Sequence, residues 1–131
     1  MKKLTVLLLS LAMVAVACGD DDASDPASIG TCEGLADATI DLTQDVIDSL
    51  GALTPAELGA VSQGELTPEF EEIATRGEVI GTRAQELECT TINDLVTERA
   101  DQLTAEPTNV IGLLVIEGVE AGEDALGRLF R

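Results

Sequence analysis

Apolar residues recur at helical spacing along most of the chain after residue 30. Leu35, Leu42, Val46 and Leu50 fall on one side of a first helix, and Ile40 and Ile47 widen this stripe. Thr31 precedes the stripe and can cap the helix, and we expect Gly51 to end it in a left-handed conformation. The pattern therefore predicts a helix over residues 31–51.

Four aspartates lie on the opposite side of this helix, at positions Asp37, Asp41, Asp45 and Asp48. A row of carboxylates could be a metal site or a solvated face. Because no cation neutralises the row within the helix, we interpret it as a solvated face.

Two Thr-Pro pairs predict the starts of the second and third helices. Thr54-Pro55 begins a short helix that should end near Gly64, and Thr67-Pro68 begins a longer one. The longer helix has an apolar stripe that consists of Phe70, Ile73, Gly77, Ile80, Ala84 and Leu87. Such a stripe needs a partner helix, and we expect that partner to be the first helix of the same chain. Glu72 lies four residues before Arg76, a spacing that suits an ion pair on one helix face.

A fourth helix is predicted by Thr91 and Asp94, which resemble a capping box. Its apolar stripe comprises Ile92, Val96, Ala100 and Leu103 and ends before Pro107.

The last segment, residues 110–130, is ambiguous, because residues 110–116 are mostly apolar and rich in β-branched types that also suit a strand. We predict a helix because the spacing of Ile111, Leu114, Val119, Leu126 and Leu129 is helical. A single strand would also have no partner elsewhere in the chain. Gly118 and Gly122, four residues apart, would let another helix approach closely.

The amino terminus has the features of an export signal. Lys2 and Lys3 form a basic start, and residues 4–17 are an apolar run that is shorter than the ~20 residues of a spanning helix. Small residues precede Cys18, and Gly19 follows it. This arrangement resembles the lipobox of bacterial lipoproteins, although Ala15 stands where the commonest lipobox has Leu. The alternative is an ordinary secretory signal with a chance cysteine at the cleavage site.

The resemblance implies that residues 1–17 are removed and that Cys18 carries acyl chains. Such chains would hold the protein on the extracytoplasmic face of the cell membrane. Residues 18–30 then form an acidic segment without apolar periodicity, which we predict to be a disordered tether. Asp20, Asp22 and Asp25 could be calcium ligands, but the glycine and the closing glutamate of an EF-hand are absent.

The chain after the signal is strongly acidic. All 25 acidic residues follow position 19, while two of the seven basic residues are Lys2 and Lys3, so five arginines remain and the formal charge is −20. Such a charge repels nucleic acid and anionic headgroups. A cationic envelope protein is the natural partner, and solubility is the alternative reason for the charge. We expect a monomer that binds no nucleic acid.

Two further cysteines, Cys32 and Cys89, form an even pair in an oxidising compartment, and we predict a disulfide. Cys32 opens the first helix and Cys89 closes the third, so antiparallel packing would bring them together. Metal binding by two cysteines and a catalytic thiol are the weaker alternatives, because the chain contains no histidine.

The fold class predicted is all-α: a small disulfide-linked bundle of about four to five helices over residues 31–131.

The mature chain lacks histidine, lysine and tyrosine, so most of the side chains that act as general bases or proton donors in enzymes are absent. We therefore predict no enzyme, cofactor or metal. A non-catalytic binding module is the first hypothesis. A carboxylate-based hydrolase of envelope glycans is the alternative, which requires two carboxylates in one concave pocket. The arginine-only basic content and the Cys-to-Cys helical layout also resemble small uncharacterised lipoproteins of high-GC Gram-positive bacteria, but this resemblance implies no functional residue.

We predict that Cys18→Ala abolishes acylation, because the thiol of Cys18 is the atom to which the lipid is attached. The measurement is incorporation of radiolabelled palmitate, together with the size of the processed chain. Equal labelling of the wild type and the variant would exclude the lipoprotein interpretation.

Overall fold

The computed structural model describes residues 25–122, and this part of the chain is built from helices without any strand. The α helices are α1 (Cys32–Ala52), α2 (Pro55–Ser62), α3 (Pro68–Glu86), α4 (Ile92–Thr97) and α5 (Val110–Glu120), with 3-10 helices at Pro26–Ser28 and Ala100–Gln102. The all-α prediction is confirmed. Cys18, the signal, the tether up to residue 24 and the predicted helix beyond residue 122 lie outside the described residues.

Threonine caps begin the first three α helices, as the sequence predicts. The Thr31 hydroxyl accepts a hydrogen bond from the Gly34 N–H, at 3.1 Å. At α2 the capping box is complete, since the backbone N–H of Thr54 also donates to the Glu57 carboxylate at 2.8 Å. The hydroxyl and the backbone N–H of Thr54 lower the pKa of Glu57 through these hydrogen bonds. The cap is therefore strongest at neutral pH and weakens as the pH falls through the lowered pKa.

Helix α1 is the centre of the fold, and α3, α4 and α5 all pack against it. Its buried residues lie on more than one side of the helix and are Leu35, Ala36, Ile40, Leu42, Thr43, Val46, Ile47, Ser49 and Leu50. The buried Thr43 hydroxyl donates to the Thr39 carbonyl oxygen at 2.7 Å. Throughout the described residues, every buried polar side-chain atom has a hydrogen-bond partner. A helix buried in this way requires neighbours on several faces.

The apolar stripe of α3 packs on α1, as predicted. Phe70, Ile73 and Ile80 are buried in the core. Gly77 faces Leu42, whose Cδ2 would lie 3.6 Å from a Cβ atom at that position, an ordinary van der Waals distance. The third helix therefore finds its partner within the chain.

The disulfide between Cys32 and Cys89 is confirmed, with Cα atoms 5.6 Å apart. It joins the start of α1 to the turn after α3, where Glu88 adopts a positive φ of 54°. Antiparallel packing of α1 and α3 brings these two ends together.

The folded region begins upstream of the boundary predicted at residue 31. Residues 25–30, which were predicted to be the end of the tether, include a 3-10 helix that contacts α3. The Arg83 Nε donates to the carbonyl oxygen of Ile29 at 2.8 Å, and the Ile29 side chain packs on the core. An apolar residue and an available cation explain why this part of the segment is ordered.

The predicted role of Gly51 is wrong, because α1 continues to Ala52 and Gly51 has no positive φ. The glycine is needed for another reason: a Cβ atom there would lie 2.8 Å from Asn109 Nδ2. Asn109 caps α5 by accepting from the Gly112 N–H and donates to the Ile47 carbonyl oxygen at 2.7 Å. Gly51 thus makes room for the start of another helix.

The predicted capping box of α4 is also wrong, since the Thr91 side chain makes no capping hydrogen bond. Thr91 has φ −104° and ψ 14°, whereas a capping residue is normally extended. The apolar stripe is divided between α4 and the following 3-10 helix, and Ala100 and Leu103 remain buried.

Residues 110–120 are helical, which confirms the prediction for this part of the ambiguous segment. Gly122 follows the end of the helix with φ 72°, and a Cβ atom there would lie 3.7 Å from Thr97 Oγ1, an ordinary van der Waals distance. The close approach occurs at Gly112 instead, where a Cβ atom would lie 2.9 Å from Ile47 Cγ2. None of the described helices has the length and apolar character needed to cross a membrane.

We predict that reducing the disulfide lowers the melting temperature sharply. A bridge between residues 57 apart contributes roughly 4 kcal/mol on the chain-entropy model, which is a large part of the stability of a small domain. Thermal unfolding of the mature chain with and without reductant measures the effect, and Cys32→Ala/Cys89→Ala is the control that reductant should leave unchanged. Equal melting of the oxidised and reduced wild type would contradict the prediction.

Candidate functional site

Of the predicted site residues, Cys32 and Cys89 are joined in the disulfide, and Cys18 lies outside the described residues. Cys32 and Cys89 are consumed in the disulfide, which excludes them as a thiol pair for metal or catalysis while they are oxidised. Among the described residues, no cluster of three or more acidic, histidine or cysteine side chains could hold a metal ion. The remaining candidate is a groove between α1 and α3.

This groove has a volume of about 370 Å³ and is formed by four residues from each helix. Both helices contribute positions i, i+3, i+4 and i+7, which lie on one face. The lining residues are Asp45, Asp48, Ser49 and Ala52 from α1 and Glu69, Glu72, Ile73 and Arg76 from α3.

Two polar contacts across the groove hold the helices together. The Arg76 Nη1 donates to Asp45 Oδ2 at 2.6 Å, and the Ser49 hydroxyl donates to Glu69 Oε1 at 2.8 Å. Ser49 and Ile73 are buried at the floor, only 7% and 4% exposed. The exposed acids stand at the rim.

The groove is negatively charged, because four carboxylates lie with one guanidinium and give a formal charge of −3. Asp45 is already paired with Arg76, and Ser49 uses one oxygen of Glu69. Asp48 accepts a hydrogen bond from Gln44 Nε2 at 2.9 Å through Oδ1. Its second oxygen, the carboxylate of Glu72 and the second oxygen of Glu69 also line the groove. An ammonium or guanidinium group is the chemical group that fits such a site, and the Ile73 side chain offers contact to an aliphatic stem.

The aspartate row on α1 is less simple than a solvated face. Asp45 pairs with Arg76, and Asp37 accepts from Arg99 Nε at 2.6 Å, so two of the four aspartates are neutralised from other helices or turns. The expected pairing of Glu72 with Arg76 is replaced by the Asp45 contact. These pairings are formed only by tertiary packing, because the partners lie 31 and 62 residues apart.

Sequence reasoning missed the groove, although a signal for it exists. The acids of α1 at Asp45 and Asp48 and those of α3 at Glu69 and Glu72 both flank the apolar stripes of their helices. When two stripes pack against each other, flanking residues converge on one side of the contact.

Comparison of the chain with known protein families, curated proteins and solved structures finds no match.

We predict that the Asp45–Arg76 pair stabilises the fold by about 1 kcal/mol or less at low salt, since both side chains are partly exposed. A double-mutant cycle with Asp45→Asn and Arg76→Gln measures the coupling by denaturant unfolding, and raising the salt should reduce it. Asp41→Asn, on the same helix, is the control that should show no coupling to Arg76→Gln. A coupling that is equal for Asp41 and Asp45 would contradict the assigned pair.

Proposed function

We propose that this chain is a lipid-anchored, extracytoplasmic binding module, without catalytic activity, whose acidic groove receives a cationic group of an envelope protein. The observation that carries the proposal is the convergence of four carboxylates on one groove between α1 and α3. Carboxylates in a concave site act together on one ligand cation, whereas the same charges on separate convex faces would not.

The contacts inside the groove favour binding over chemistry. Asp45 and Glu69 are engaged by Arg76 and Ser49, which fixes the geometry of the site before a ligand arrives. A pre-ordered site loses less conformational entropy on binding. The exposed Asp48 and Glu72 are the groups that we assign to contact with the ligand.

The position of the groove supports a partner outside the membrane. The described chain begins near the disulfide end of the bundle, where the carbonyl oxygen of Ile29 accepts from Arg83 and α1 starts at Cys32. Asp45 and Ala52 lie 13 and 20 residues further along α1, which corresponds to about 20–30 Å. If Cys18 carries the anchor, the groove is held at the end of the bundle that is distant from the attachment point.

The hydrolase alternative has one observation in its favour, because carboxylates do share a concave groove. Its general acid would have to be Asp48, Glu69 or Glu72, since Asp45 is paired with Arg76. The chain contains two phenylalanines and no other aromatic residue for stacking on a sugar, and Phe70 is buried in the core. We therefore keep binding as the proposed function.

The test is a titration of the mature chain with a short tetra-arginine peptide, followed by the amide resonances of α1 and α3. We expect shifts at the groove residues and a weakening of affinity by about tenfold in Asp48→Asn/Glu72→Gln. The matched control is Asp41→Asn/Glu78→Gln, which removes the same charge from exposed positions on the same two helices outside the groove.

Raising the salt to about 1 M should weaken binding by the wild type, because the Debye length falls to about 3 Å. Equal affinities of the groove variant and the control variant would show that only net charge matters and would reject the groove as the site. Release of reducing sugars from envelope glycans by the wild type, with loss in the groove variant, would establish the hydrolase instead.

A further inference from the structure

The disulfide and the acidic groove occupy matching positions on α1 and α3. Asp45 and Ala52, the first and last groove residues of α1, lie 13 and 20 residues after the bridged cysteine of that helix. Arg76 and Glu69 lie 13 and 20 residues before the bridged cysteine that follows α3. The other groove positions follow the same rule. Because α1 and α3 are antiparallel, these equal arms place the two sets of groove residues opposite each other.

We infer that the Cys32–Cys89 bridge positions the acidic groove by setting the register in which α1 and α3 pack. Register here means which residue of α3 lies opposite a given residue of α1. The consequence for ligand binding rests on the function proposed above, whereas the register itself can be measured without a ligand.

The apolar contact between the two helices is compatible with more than one register. The apolar stripe of α3 repeats at spacings of three and four residues. A slip of one turn, about 5.4 Å, therefore places apolar residues of α3 against α1 again. Gly77 faces Leu42 in the observed register, but at an ordinary van der Waals distance. The connection between the helices, residues 53–67, includes the whole of α2 and has no buried residue, so it leaves room for a slip.

The polar contacts between the helices also have partners in other registers. Arg76 pairs with Asp45, but Asp41 and Asp48 lie about one turn away on either side of Asp45. The hydroxyl of Ser49 donates to an acid at the start of α3, where further acids follow within one turn. Each of these contacts can be exchanged for a similar one when the helices slip.

The bridge is the contact that does not tolerate such a slip. Its Cα atoms are 5.6 Å apart, and a disulfide does not form when this distance exceeds about 7 Å. At the same end of the bundle, Arg83 binds the carbonyl oxygen of Ile29, which holds the last turn of α3 to the segment before α1. With this end fixed, the equal arms bring the carboxylates of both helices into one groove.

The test compares the mature chain with the bridgeless variant, Cys32→Ala/Cys89→Ala, and both carry Cys18→Ser so that no other thiol is present. The matched control is Val119→Ala, which weakens the buried contact of α5 while the bridge stays intact. Because loss of the bridge also lowers stability, all chains are measured in the osmolyte trimethylamine N-oxide, which favours the folded state.

Nuclear Overhauser effects between methyl groups and glycine protons measure the register. The Leu42–Gly77 effect reports how α3 lies on α1, and the Ile47–Gly112 effect, between α1 and α5, is the internal reference. We expect the bridgeless variant to lose the first effect and keep the second, because a slip of one turn moves facing atoms apart by about 5.4 Å. The Val119→Ala variant should keep the Leu42–Gly77 effect.

Titration with the tetra-arginine peptide then measures the groove. We expect the bridgeless variant to bind about tenfold more weakly than the wild type, as the variant Asp48→Asn/Glu72→Gln does, whereas Val119→Ala should bind as the wild type does. A wild type that does not bind the peptide would reject the proposed function, while loss of the Leu42–Gly77 effect alone would still support the register.

A Leu42–Gly77 effect that persists in the bridgeless variant would overturn the inference. Loss of both effects in the osmolyte would also overturn it, because the bridge would then be needed for the fold as a whole. Loss of the Leu42–Gly77 effect in Val119→Ala would assign the slip to lowered stability instead of the bridge. Unchanged peptide affinity after loss of this effect would overturn the role of the bridge in positioning the groove.

Discussion

The burial of α1 is the constraint on which the described fold depends. Leu35, Leu42 and Ile47 are at most 2% exposed, and burying each such side chain is worth about 1.5–3 kcal/mol. Because Leu35 and Leu42 lie on one side of α1 and Ile47 lies on another, a single neighbouring helix could not cover them. Helix α3 covers one side, while α4 and α5 cover the others. Helix α5 buries Val115 and Val119 in the core that this surface forms. The disulfide then holds the start of this central helix against the turn after α3.

The arginines of the described residues lie where separate segments of the bundle meet. Arg76 joins α3 to α1 at Asp45, Arg99 joins the turn after α4 to α1 at Asp37, and Arg83 joins α3 to the amino-terminal segment at Ile29. A partly exposed ion pair adds little stability by itself. In a chain with a large excess of carboxylates, however, each pair also removes repulsion at a point where two segments must approach. This distribution leaves the acids of the groove rim as the concentrated negative site.

The acidic groove is a consequence of the same α1–α3 contact. The apolar stripes pack below, and the polar residues that flank them on one side are brought face to face above Ile73 and Ser49. Asparagine and glutamine side chains fix the other side of α1: Asn109 binds the Ile47 carbonyl, and Gln44 exchanges hydrogen bonds with the backbone of Thr104. These contacts set where α5 starts relative to α1.

Local signals in the sequence determined the helical class and the threonine caps of α1, α2 and α3, and the even number of cysteines after Cys18 predicted the Cys32–Cys89 pair. Thr31, Thr54 and Thr67 cap helices within three residues of themselves, and the stripe of α3 needs only one partner, so spacing was sufficient to predict them. Interactions between distant residues were decided by the tertiary structure alone. The sequence predicts a helix stop at Gly51, yet its lack of a side chain makes room for Asn109, 58 positions along the chain. It predicts a solvated Asp45, yet this aspartate pairs with Arg76 from another helix. Spacing along one helix records which residues share a face, but it carries no information about which residue of a second helix that face will meet.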